Sequence, residues 1–241
     1  MGAAGFAAAA AAAPAAAQAP AAADGIRSRM ESKKPLTWVF TGDSITHGAA
    51  HTLGCRSYSE HIAERIRWEM RRVRDMVINT GISGDRLHRM MAEFDWRVGR
   101  FQPDVVSVNF GMNDCTAGAD GRDVFAKALT ECRDRVAALG AQLVVHTPNF
   151  IHFPADPGRK DLPAYVEIVR AFAQKHSVPL VDHYAEWSAP ARSQPAYRLL
   201  MLLNDGAIHP NQYGHILMAA TAMRTMGIYE AGSATGRLFV P

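Results

Sequence analysis

Five short apolar runs, Thr37–Thr41, Met76–Asn79, Val105–Asn109, Gln142–His146 and Pro179–Val181, recur along the chain with longer segments of helical period between them. Strands separated by helices of this length pair through right-handed crossovers, which makes the sheet mainly parallel and covers both its faces. The fold class that follows is α/β, a three-layer α/β/α domain. Ser57-Tyr58-Ser59-Glu60 is a capping box, and Tyr58, Ile62, Ile66, Met70 and Val73 then recur on one face. Asp120 is placed to cap a second helix carrying Phe125, Leu129, Cys132, Val136 and Leu139, with Gly140 as its stop. A third helix runs from about Asp161, with Pro163 in its first turn, to His176, and a fourth from about Asn211 to Gly227. In such sheets function collects in the loops beyond the carboxyl ends of the strands.

The 241 residues divide into an Ala-rich segment over 1–35, a single domain over 36–228 and a short tail over 229–241. The stretch 1–25 is low in complexity and is not expected to join the core. Ala17-Gln18-Ala19 and Ala21-Ala22-Ala23 resemble signal-peptidase sites, yet no Lys or Arg precedes Arg27. Export and a cytoplasmic location with a disordered tail therefore both stay open. A net charge of +3 gives no argument for nucleic acid, and the basic run Glu64–Arg74 interleaves glutamates in the manner of a solvated helix face. Three cysteines without CxxC spacing indicate neither a disulfide framework nor zinc. His47 and His51 stand at helical spacing, but nothing nearby completes a metal set. No cofactor is indicated, no body segment is long and apolar enough to span a membrane, and the oligomeric state is open.

The residues after the strands form an ordered set. Strand one ends in Gly42-Asp43-Ser44, strand two runs into Thr80–Asp85, strand three runs into Gly111-Met112-Asn113-Asp114, and Asn204–Asn211 precedes the last helix. Acyl transfer needs a hydroxyl to attack, an imidazole to take its proton, a carboxylate to hold the imidazole's tautomer and donors for the developing oxyanion. Ser44, His209 and Asp205 supply the first three, and the amides of Ser44 and Gly84 with the Asn113 side chain supply donors. Each has a plainer role: a turn serine, a backbone-geometry glycine, a cap asparagine, a histidine that opens a helix.

These segments resemble the SGNH hydrolase superfamily, the GDSL esterases and lipases. TGDSITHG matches its first block, NTGISGD its second, FGMND its third, and the DG-containing IHPN segment its last, over Trp38 to Met226. The resemblance implies a flavodoxin-like sheet of five parallel strands. It also implies Ser44 as nucleophile, Ser44, Gly84 and Asn113 as oxyanion donors, and His209 as base. The family usually sets its aspartate three residues before the histidine; here position 206 is glycine and Asp205 stands four before. The added residue is expected to loosen the bond between them. Asp43, Thr46 and Asp114 are expected to hold loops.

The expected activity is hydrolysis of acyl esters, short-chain in the absence of a lid-like insertion, with O-acetylated carbohydrate as one candidate substrate. An O-acyltransferase shares the acyl-enzyme and stays open, as does a non-catalytic carbohydrate-binding protein, although all four signature positions are filled. A flavin- or phosphate-binding flavodoxin-like protein is a third alternative, against which Asp43 stands in the first loop and would repel a phosphate. The loop Pro148–Lys160 is expected to shape the substrate pocket.

Overall fold

A computed structural model of the chain describes residues 19–48, 52–193, 197–238 and 240. In chain order the helices and strands are α1 (Ala19–Glu31), β1 (Thr37–Gly42), α2 (Ser44–His47), α3 (Tyr58–Glu64), β2 (Met76–Asn79), α4 (Leu87–Ala92), α5 (Phe94–Arg97), β3 (Val105–Asn109), α6 (Arg122–Ala138), β4 (Gln142–His146), α7 (Leu162–His176), β5 (Leu180–Val181), α8 (His183–Ser193), α9 (Tyr197–Leu200) and α10 (Gln212–Thr225). The strands form one parallel sheet in the order β2-β1-β3-β4-β5. This is the expected three-layer fold.

Consecutive residues of β1 and β3 are buried, as a sheet covered on both faces requires. Layer membership follows from the crossovers: α4, α6 and α7 pack side by side on one face, while α1, α3 and α8 pack around α10 on the other. The edge strand β2 leaves Met76 exposed. Because all five strands run the same way, their carboxyl ends open along a single rim. No helix among the described residues is long and apolar enough to cross a membrane.

Several boundaries differ from expectation. Residues 19–31, counted with the Ala-rich segment, form α1, whose Ile26 is completely buried. Two long-range bonds tie α1 down, from Arg29 Nη2 to Gly140 O (2.7 Å) and from Arg72 Nη1 to Met30 O (3.0 Å). The capping box forms at Ser57 and Glu60, but the helix widens into a π turn over Arg65–Glu69 and stops, leaving Val73 exposed. The π turn accompanies the buried Arg65, whose Nε donates to Ile228 O at 2.7 Å. Gly121, not Asp120, stands at the cap of α6. The tail is anchored too, since Glu69 accepts from Thr235 N (2.7 Å) and Thr235 Oγ1 (2.8 Å). Ala21-Ala22-Ala23 lies within α1, and residues 1–18 are outside the described residues.

Beneath the rim lies a buried polar chain that periodicity does not reveal. Ser107 Oγ meets His146 Nε2 at 2.8 Å, and His146 Nδ1 meets His183 Nε2 at 2.9 Å. The ring of Tyr58 packs against both imidazoles. Burial first, and then the neighbouring imidazoles, push both histidines down, His183 to about 3 and His146 well below its ordinary value.

Candidate active site

Ser44 opens the four-residue helix α2 directly after β1. Asp43 Oδ1 caps this turn by accepting from Ile45 N at 3.0 Å, and Gly48, at φ +74°, ends it by donating to Ser44 O at 2.9 Å. Gly42 has no room for a side chain: a Cβ there would sit 2.6 Å from Asn109 O, on the adjacent strand. The close approach fixes where Ser44 emerges. Asp43 spends one carboxylate oxygen on an amide that an incoming phosphate would need, which counts against a phosphate cradle. Burial, partly opposed by the Ile45 amide, pushes the Asp43 carboxyl up to about 7.

Ser44 Oγ lies 2.9 Å from His209 Nε2, and His209 Nδ1 lies 2.5 Å from Asp205 Oδ2. The other oxygen, Asp205 Oδ1, accepts from three successive backbone amides, Ala207 (2.9 Å), Ile208 (2.8 Å) and His209 (3.1 Å). Gly206, at φ +68°, lets the added residue curl into this turn. The turn accommodates the four-residue spacing with a short Asp205–His209 contact, where a loosened one was expected. Partial burial raises the Asp205 carboxyl, but the bonds from His209 and the three amides outweigh it and hold the group below its ordinary range. A carboxylate at Oδ2 requires a proton on His209 Nδ1, so in the neutral imidazole Nε2 is the acceptor facing the serine hydroxyl.

The loops after β2 and β3 are joined. Asn113 Nδ2 donates to Asp85 O (3.0 Å), and Asp114 accepts from Leu87 N and Gly111 N, both at 3.0 Å. Gly84 has φ +78° and is exposed, with nothing within 4 Å of where a Cβ would stand. Its loop is held from below by the fully buried Arg97, which pairs with Asp85 and donates to Thr80 O (2.9 Å) and Gly42 O (3.3 Å). Thr46 Oγ1 bonds Tyr58 OH at 2.9 Å. Asp43, Thr46 and Asp114 thus hold loops, as expected. His47 Nδ1 meets Ser83 Oγ at 3.0 Å, and His51 lies outside the described residues.

The loop Pro148–Lys160 braces the Asp205–His209 turn. His152 Nδ1 donates to Gly206 O (3.2 Å), His152 N to Ala207 O (2.9 Å) and Asn149 Nδ2 to Ile208 O (3.1 Å). Phe150 packs on Phe153 and Tyr184, with ring centroids 5.5 and 5.1 Å apart. Sequence reasoning did not single out Arg97, His152 or Asn149 for these roles, because each acts through partners remote in sequence.

The model of the GDSL-like lipase/acylhydrolase family matches residues 40–217, from β1 into α10. The chain belongs to this family. As a GDSL-like acylhydrolase it is a carboxylic ester hydrolase. Among curated proteins it is similar to an acetylxylan esterase from Geobacillus stearothermophilus, 24% identical over 209 residues that cover 78% of this chain and 93% of that one. The fold is shared with an α/β hydrolase from the metagenome of Lake Arreo, Spain (TM-score 0.68, 23% identity, 81% and 96% of the two chains). A catalytic mutant of the Geobacillus acetylxylan esterase also superposes on this GDSL hydrolase (TM-score 0.68, 22% identity, 81% and 95%).

Proposed function

We propose that the protein is a serine esterase acting on short acyl esters, with O-acetylated carbohydrate as the favoured substrate, through an acyl-enzyme on Ser44. The observation that carries the mechanism is the continuous path from Asp205 Oδ2 through both ring nitrogens of His209 to Ser44 Oγ. Ser44 Oγ attacks the acyl carbon as His209 Nε2 takes its proton, and the carbonyl electron pair moves onto oxygen. The amides of Ser44 and Gly84 and the Asn113 side chain receive that oxyanion. Collapse expels the alcohol, which takes the proton from His209; a water activated by the same imidazole then releases the acid and restores Ser44. The carbohydrate assignment is supported by the similarity to the acetylxylan esterase over most of both chains.

The test is a chain-length series of p-nitrophenyl esters beside an acetylated xylo-oligosaccharide, with wild type and Ser44→Ala, and intact-mass detection of a serine-directed phosphonate. Acetate release, one adduct and the loss of both in Ser44→Ala are expected. An adduct that survives the substitution refutes the nucleophile. Acyl transfer to an added sugar in preference to water would reassign the protein as an acyltransferase.

A further inference from the structure

Arg159, on the loop after β4, reaches across to the loop after β3. Its Nε donates to Met112 O at 3.0 Å and its Nη2 to Asn113 Oδ1 at 3.2 Å, so one edge of the guanidinium clasps two consecutive residues. Its third nitrogen, Nη1, pairs with Asp156 three residues earlier on the same loop. Both side chains are largely buried, which limits screening of the pair.

The two ends of the Asn113 carboxamide are therefore chemically labelled. Arginine only donates, so the atom it meets must be the amide oxygen; the Asp85 carbonyl only accepts, so the atom it meets must be the amide nitrogen. Both contacts select the same orientation. With one N–H on Asp85 O, the other N–H of Nδ2 is directed by the plane of the amide and not by a free rotor.

We propose that Arg159 is a positioning residue that sets the Asn113 carboxamide plane for the oxyanion, with Asp156 fixing Arg159. This rests on the oxyanion role assigned to Asn113 under the proposed function. Without Arg159, Asn113 keeps the Asp85 contact but loses the lock on its oxygen, and its amide plane can swing. A hydrogen bond to a charged group contributes about 1.5–3 kcal/mol, corresponding to about 10- to 160-fold, and the surviving contact puts the expected loss at the lower end.

Steady-state kinetics on p-nitrophenyl acetate should be measured for Arg159→Ala, Arg159→Lys, Asn113→Ala and the Arg159→Ala/Asn113→Ala double variant, with circular dichroism confirming the fold. The expected result is a fall in kcat of about 10- to 30-fold in Arg159→Ala with KM within about threefold. Arg159→Lys should not restore kcat, because a single ammonium cannot clasp both oxygens. In the Asn113→Ala background, removing Arg159 should cost no more than about twofold further. Unchanged kcat in Arg159→Ala, a rise in KM alone, full rescue by lysine, or an additive loss in the double variant would each overturn the proposal while leaving the Asn113 role standing. Wild-type kcat in Asn113→Ala would instead remove that role and this proposal with it.

Discussion

Replacing Asp205 by asparagine changes one atom at the end of the path to Ser44. In the native turn, Oδ1 accepts from three backbone N–H groups, so that position must remain an oxygen. The amide nitrogen of Asp205→Asn is then forced into the Oδ2 position and donates to His209 Nδ1. The imidazole responds by holding its proton on Nε2, where it faces Ser44 Oγ as a donor and cannot take the serine's proton. Because the turn prevents the amide from flipping, the tautomer penalty should be felt nearly in full. In trypsin-like serine proteases the equivalent aspartate-to-asparagine change lowers kcat about 10⁴-fold. We therefore expect a loss of about 10³- to 10⁴-fold, equivalent to about 4–5.5 kcal/mol in the barrier. The assay is kcat on p-nitrophenyl acetate, with circular dichroism to confirm that the turn still folds. Activity within about threefold of wild type would refute this reasoning and leave Ser44 and His209 to act as a pair.

Ile26→Ala should destabilise the fold by about 2–4 kcal/mol in urea unfolding, because Ile26 is fully buried; no change would mean that α1 contributes nothing to the core. Arg97→Met should cost about 3–5 kcal/mol by stranding Asp85, and adding Asp85→Asn should recover part of that loss; an additive double variant would deny the coupling. His146 and His183 stay neutral in the fold while the unfolded chain takes up protons near pH 6.5. Their contribution is therefore fully present above that pH and is lost as pH falls below it, for His183 down to about 3, with a limiting slope of about 1.4 kcal/mol per pH unit for one proton. The raised Asp43 and Asp114 carboxyls act in the opposite sense, so the diagnostic quantity is the stability gap between wild type and His183→Gln, which should narrow between pH 6.5 and 5. A gap that stays constant or widens would contradict the buried neutral pair.

Strand positions were legible because both faces of the sheet are covered, so β1 and β3 read as continuous apolar runs. The stop at Gly140 and the helix start near Asn211 were legible because left-handed backbone and helix initiation are local demands; that the Asn211 side chain makes the cap came from the structure. Ser44, Asp205 and His209 could be nominated because each lies beside a recognisable turn. Arg97 and Arg159 could not, since an arginine that satisfies carbonyls from other loops has no neighbour in sequence to betray it. The helix α1 was missed for a different reason: alanine composition reads as low complexity, and what anchors it, the buried Ile26 and the bonds to Gly140 and from Arg72, lies late in the helix or far off in sequence. The π turn that ends the face at Met70 likewise carries a contact invisible in the local sequence, from Arg65 to the distant carbonyl of Ile228.

Ser44 and His209 are separated by 165 residues, whereas Asp205 and His209 share one tight turn. During synthesis or refolding, Asp205 and His209 can come together through local bonds long before Ser44 is within reach. Meeting Ser44 requires α10 to seat on α3, where Tyr58 N donates to His215 Nδ1 at 3.2 Å. Closing so long a loop is an entropic burden borne by late, non-local contacts. Regain of esterase activity should therefore coincide with the last cooperative phase of refolding, and partly folded chains should remain chemically silent even when their secondary structure is largely in place.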